Sequence, residues 1–185
     1  MQYELDIQIA CPSKGSTRSF AGSSMTIDMH HKEIKVVDQI VRARFCEKYP
    51  NARVIPGTKY CVFAVLVWPH RASDYKLTKD GNVVVTKKYE SYKGTTPDAD
   101  KCVRTLLDSL TNLIYENDAR VVFQGSTKVY GKCPCVLIFC EEVRKYGQHE
   151  SIEGFVRQVE NWIRMFETIE HSIIDGKRTA DRGLV

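Results

Sequence analysis

A chain of 185 residues that is 43% hydrophobic and 27% charged has enough apolar material for one core. A domain of this size buries about 70% of the surface its unfolded chain exposes. The 10% aromatic content argues against global disorder, no run approaches ~18 apolar residues and so no membrane-spanning helix is expected, and a net charge of +4 is too small for a DNA-coating protein. The first residues lack the basic and apolar regions of a secretory signal. Seven cysteines are an odd number for a disulfide framework and read as reduced thiols in a cytoplasmic protein. No internal repeat or low-complexity run is present.

In chain order, Tyr3, Leu5, Ile7 and Ile9 alternate with Glu4, Asp6 and Gln8, the pattern of a half-buried strand. Residues 11–17 break it as a loop. Ile34, Val37, Val41 and Phe45 recur at helical spacing, predicting a helix from Asp28, as N-cap, to about Lys48, with Pro50 stopping it. Tyr60 to Trp68 is an almost unbroken apolar run, as expected of a central strand covered on both faces. Residues 69–96 are polar and basic, and Asp80-Gly81-Asn82 before three valines predicts a small hairpin.

Next, Val103, Leu106, Leu107, Leu110, Leu113 and Ile114 form one helical stripe. Strands follow around Val121 and Phe123, then from Val136 to Glu142. A last helix is expected from about Ser151, with a stripe that includes Phe155, Trp162 and Phe166. The pattern predicts an α+β fold: a mixed sheet of about four main strands with helices packed on it, plus the C-terminal helix.

Most informative is the stretch from Pro97 through Asp98, Asp100, Lys101 and Arg104 to Asp108, followed by Asn117-Asp118-Ala119-Arg120. At 100° per residue Asp100, Arg104 and Asp108 share one side of the helix, away from the leucines. Asp98 precedes the helix and Asp118 opens the next strand. If that strand runs back beside the helix, Asp118 approaches Asp98 and Asp100. Three converging carboxylates without a Cys or His set suit Mg²⁺ or Mn²⁺, and Arg104 could offset charge on a phosphate. The same residues have an ordinary explanation. Asp98 and Asp100 can cap the helix and complement its dipole, Asp100 and Arg104 can form a surface i,i+4 pair, and Asp118 can be a turn residue.

The run Pro97-Asp98-Ala99-Asp100-Lys101, then Leu107-Asp108-Ser109-Leu110, then Asn117-Asp118-Ala119-Arg120-Val121-Val122 resembles the RusA family of Holliday junction resolvases. That family's motif is Asp-x-Asp-Asn, a basic residue four after the second Asp, Leu/Phe-Asp-x-Leu, then Asp-Asp-x-Gln-Val. The order of elements from Tyr3 to Glu142 agrees too. The resemblance implies a nuclease domain over 1–145, with 69–96 as a basic hairpin insertion and 146–185 as a helical extension and tail. It implies Asp98, Asp100 and Asp118 as metal-binding, catalytic aspartates, Arg104 in the place of a catalytic lysine, and Mg²⁺ or Mn²⁺ as cofactor. It also implies a homodimer that cuts four-way DNA junctions in recombination and repair, in a bacterial or phage-infected cytoplasm. Three positions depart from the motif: Lys101 stands for Asn, Arg104 for Lys, and Asn117 for the first Asp of the later pair. These departures motivate an alternative, a non-catalytic branched-DNA-binding protein with a drifted site.

Cations expected on DNA phosphates are Lys101 beside the site, Lys14 and Arg18 in the N-terminal loop, and Lys87, Lys88 and Lys93 in the insertion. Each has an ordinary surface role as its counterpart. Cys133, Cys135 and Cys140 lack the spacing of a zinc site and read as strand or buried residues. A third reading makes the chain an interaction module using its C-terminal helix.

Overall fold

The computed structural model describes residues 2–14, 17–19, 26–28, 30–69, 75–77, 79–80, 83–85, 93–131, 134–143, 156–157, 160–161 and 163–164. The fold is α+β, as the pattern predicted. Its main sheet has four strands: β1 (Gln2–Ile7), β4 (Tyr60–Pro69), β7 (Val121–Gly131) and β8 (Cys135–Glu142). Their spatial order is β1-β8-β4-β7. β8 pairs antiparallel with both β1 and β4, whereas β4 and β7 run parallel. The sheet is therefore mixed. Two small hairpins stand apart from it, β2 (Thr17–Ser19) with β3 (Thr26–Asp28) and β5 (Tyr75–Leu77) with β6 (Val83–Val85).

Side-chain alternation divides the core in two. Tyr3, Leu5, Ile7, Tyr60, Val62, Leu66, Val136 and Ile138 face helices α1 (His31–Lys48) and α2 (Ala99–Leu110). The helices contribute Val37, Val41 and Phe45, then Val103, Leu106 and Leu110. Cys61, Phe63, Val65, Val67, Leu137 and Phe139 form a second buried cluster on the opposite face. β4 is buried on both sides because period-2 alternation feeds both clusters. Burial pushes the Cys61 thiol up to about 12 and raises Cys140 as well, so both behave as small hydrophobes.

Two expectations change here. Asp28 does not cap α1; it ends β3, pairs with Thr17, and the helix starts three residues later after His30. The expected C-terminal helix falls mostly outside the described residues. Its six described positions have helical backbone and exposed side chains, but they do not amount to a described helix. No helix among the described residues is long and apolar enough to cross a membrane.

Candidate functional site at the N-terminal end of α2

α2 begins where Asp98, in extended conformation, hands the chain to Ala99. Its apolar residues face the core, which leaves Asp98, Asp100 and Arg104 exposed. The capping explanation fails for Asp98, whose side chain makes no hydrogen bond to the helix N-terminus. It pairs instead with Lys101, whose Nζ lies 2.9 Å from the carboxylate. That hydrogen bond and charge hold the Asp98 carboxyl below its ordinary range. Asp100 and Arg104 do not form the expected i,i+4 ion pair, and neither is paired with another described residue.

The loop leaving β1 is laid along this end of α2. The Lys14 amide donates to the Lys101 carbonyl (3.2 Å), and the Thr105 hydroxyl donates to Pro12 O (3.3 Å). The buried Cys11 and Cys102 thiols each reach the other's carbonyl, at 3.5 and 3.6 Å. Lys14 forms an ion pair with Asp108, so Asp108 is tied to the loop rather than facing an open site. From below, Lys128 on β7 donates to Thr95 O and Pro97 O (2.8 and 2.9 Å), which fixes the approach to Asp98. Between loop and helix lies a cleft of about 410 Å³, lined by Pro12, Ser13, His30, Trp68, Asp98 and Lys101 among others.

The expected cations divide. Lys101 is at this end of α2; Lys14 has its backbone here but its ammonium on Asp108, toward the other end of the helix. Lys93 is not a surface cation: it is 8% exposed, its ammonium donates to Thr95 and Thr96, and it lies 5.7 Å from the Trp68 ring. Burial and satisfied hydrogen bonds give it a loop-holding role. The backbone of Arg18 lies in β2, but its side chain, Lys87 and Lys88 lie outside the described residues, as does Cys133.

Asp118 is the main correction. It opens a 3-10 turn, Asp118–Arg120, just before β7. This turn lies by the C-terminal end of α2, where Tyr115 and Ile114 bond to Leu107 O and Leu110 O. The 12 residues of α2 span about 18 Å. β7 must run from Val121 to Lys128, about 23 Å at strand rise, before it reaches Pro97. The strand does return beside the helix, but its start is the distant end. Asp98 and Asp118 therefore stand on the order of 20 Å apart in one chain. Among the described residues no group of three or more His, Cys, Asp or Glu side chains is placed to hold a metal ion. The Mg²⁺ or Mn²⁺ set expected of Asp98, Asp100 and Asp118 does not close within one chain.

Sequence reasoning missed Lys128, Trp68 and His30. The seven residues that join α2 to the Asp118 turn, 111–117, could span the helix if extended, so their number carried no signal for the placement; in the structure they fold back locally, with Thr111 bridged to Tyr115. Neither protein-family models nor curated proteins give a match to this chain.

Proposed function

We propose that this chain is a metal-dependent, structure-selective endodeoxyribonuclease acting on four-way DNA junctions, similar to the RusA resolvases, and that it works as a pair of copies. One observation carries the reading. Asp98 and Asp100 are presented at a helix start, beside a cleft and the side chains of Lys101 and Arg104, without being used as caps. Exposed carboxylates flanked by Lys101 and Arg104 suit a site that must hold both a cation and a phosphodiester.

Since one chain does not complete the set, Asp118 is supplied by a second copy. Asp98 and Asp100 from one copy with Asp118 from the other make three hard oxygen donors of the kind Mg²⁺ or Mn²⁺ takes. Such an ion supplies Lewis acidity at a phosphodiester. The chain's own groups position the DNA. Lys101 at the cleft rim can exchange Asp98 for a phosphate oxygen, and the Arg104 guanidinium one turn on can engage the same group in bidentate fashion.

The Lys101–Asp98 pair also favours a second reading, a branched-DNA-binding protein whose site no longer cuts. A synthetic four-way junction with Mg²⁺ separates them. Cleavage by the wild type and its loss in folded Asp100→Asn support the nuclease; salt-sensitive binding with no cleavage supports the alternative. Mixing Asp100→Asn with Asp118→Asn tests the shared site. A mixed pair then holds one intact site, so activity returns. If each site is built within one copy, every site in the mixture is damaged and no activity returns.

A further inference from the structure

Among the described cysteines one pair meets. Cys46 is exposed on α1. Cys140 faces the helices from β8, opposite Tyr3. Cys61 and Cys135 belong to the cluster on the other face, six register positions and so about 20 Å apart. Cys11 and Cys102 differ. One lies in the loop after β1 and the other in the first turn of α2, and they are 3% and 0% exposed. Each thiol reaches the other residue's carbonyl, at 3.5 and 3.6 Å, and the two side chains hydrogen-bond to one another.

The pair joins the two walls of the cleft. Cys11, Pro12 and Ser13 line one wall; Asp98 and Lys101, the residue before Cys102, line the other. Bonds already run between these walls on either side of the sulfurs, from Lys14 N to Lys101 O at 3.2 Å and from the Thr105 hydroxyl to Pro12 O at 3.3 Å. The sulfurs are thus brought together by a frame that does not depend on them. The reciprocal thiol–carbonyl contacts keep the two backbones side by side, as a disulfide requires.

We infer that Cys11 and Cys102 are a reversible modification site, which hydrogen peroxide closes to a disulfide and a small thiol reopens. One sulfur gives up its proton and attacks a peroxide oxygen; the O–O bond breaks, a sulfenic acid forms, and the departing hydroxide takes the proton as water. The second sulfur gives up its proton and attacks the sulfenic sulfur. The S–S bond forms and the hydroxyl leaves with that proton as a second water. The two sulfurs together lose two electrons, and the peroxide gains them. Access is through the cleft, which Cys11 lines. The bond staples one cleft wall to the other, so the oxidation state sets how far the cleft can open. This holds whether or not the chain is a nuclease.

The test uses the full chain carrying Cys46→Ser, so that oxidation does not join copies through that exposed thiol. The folded protein is treated with peroxide, unfolded, alkylated and cut with trypsin. Mass spectrometry should find peptides 1–14 and 102–104 joined, two hydrogens lighter than their sum, and dithiothreitol should release them. The joined form should melt about 5–15 °C higher than the reduced form; Cys11→Ala should show no such rise. Exchange of the Lys14 amide, which spans the two walls, should slow at least about tenfold on oxidation. If Cys11→Ala does not fold, the peptide mapping still decides. Both cysteines alkylated after peroxide would overturn the site. So would either one joined to a different cysteine, or Cys11 carried on to sulfinic acid with Cys102 left reduced. A joined pair with unchanged melting and unchanged Lys14 exchange would overturn the staple.

Discussion

The two ends of α2 are built to opposite rules. At the C-terminal end almost every polar group is used internally. The Tyr115 hydroxyl donates to Leu107 O at 2.9 Å, the Thr111 hydroxyl reaches the same carbonyl, and Arg42 reaches over from α1 to Thr111 O and Asp108 O. Tyr115 is fully buried, and that burial holds its hydroxyl neutral well above the ordinary tyrosine range. At the N-terminal end Asp98, Asp100 and Arg104 are exposed, and the loops around them are what is held, by Lys93 and Lys128. One end anchors the helix in the core. The other uses a rigid frame to present charge, which is how a site gains precision at little cost in stability.

Substitutions can break this contrast, and the largest effect belongs to the anchored end. Leu110→Ala removes a fully buried side chain and should cost about 2–5 kcal/mol in urea unfolding. Asp100→Ala at the open end should stay within about 0.5 kcal/mol; equal losses would show that the two ends are not different in kind. Tyr115→Phe comes next. It leaves the Leu107 carbonyl with the Thr111 hydroxyl as its remaining side-chain donor and should cost about 0.5–1.5 kcal/mol with little change in shape by circular dichroism.

The smallest effect is Lys101→Met. Stability near neutral pH should barely change, as for an exposed pair, while the Asp98 carboxyl should rise toward its ordinary value in an NMR titration. The sign of the pH dependence follows. A carboxyl lowered in the folded state favours folding above its unfolded pKa, and the benefit fades as pH falls through the lowered value. The small difference between wild type and Lys101→Met should therefore vanish in acid. An unmoved Asp98 titration in Lys101→Met would mean that the 2.9 Å pair does not set it.

Much of the frame was legible because it is periodic. Tyr3, Leu5 and Ile7 are buried as their alternation requires, Val37, Val41 and Phe45 as their helical spacing requires, and Tyr60 to Val67 as a two-sided strand requires. The hairpin expected around Asp80-Gly81-Asn82 is present as β5 and β6. Periodicity does not say which strand lies beside which, so the parallel pairing of β4 with β7 was invisible, and with it the arrival of Lys128 at Pro97. Asp28 looked like a cap because Asp before an apolar helix usually is one; a three-residue pairing with Thr17 took it instead. For the site, Asp98 and Asp100 stand where the spacing put them. Asp118 does not, because its placement depends on the direction of the strand it begins.

The parallel β4–β7 pair also sets what residues 70–92 can become. Pro69 at the end of β4 pairs with Gly131, and Lys93 bonds to Lys128, so the excursion leaves and re-enters the sheet at one corner of β7. The closure cost of such a segment changes by only about 0.6 kcal/mol for each doubling of its length. By closure entropy alone, changes in the length of that segment ask little of the sheet. That corner adjoins Trp68, near the end of β4, which lines the cleft at the start of α2.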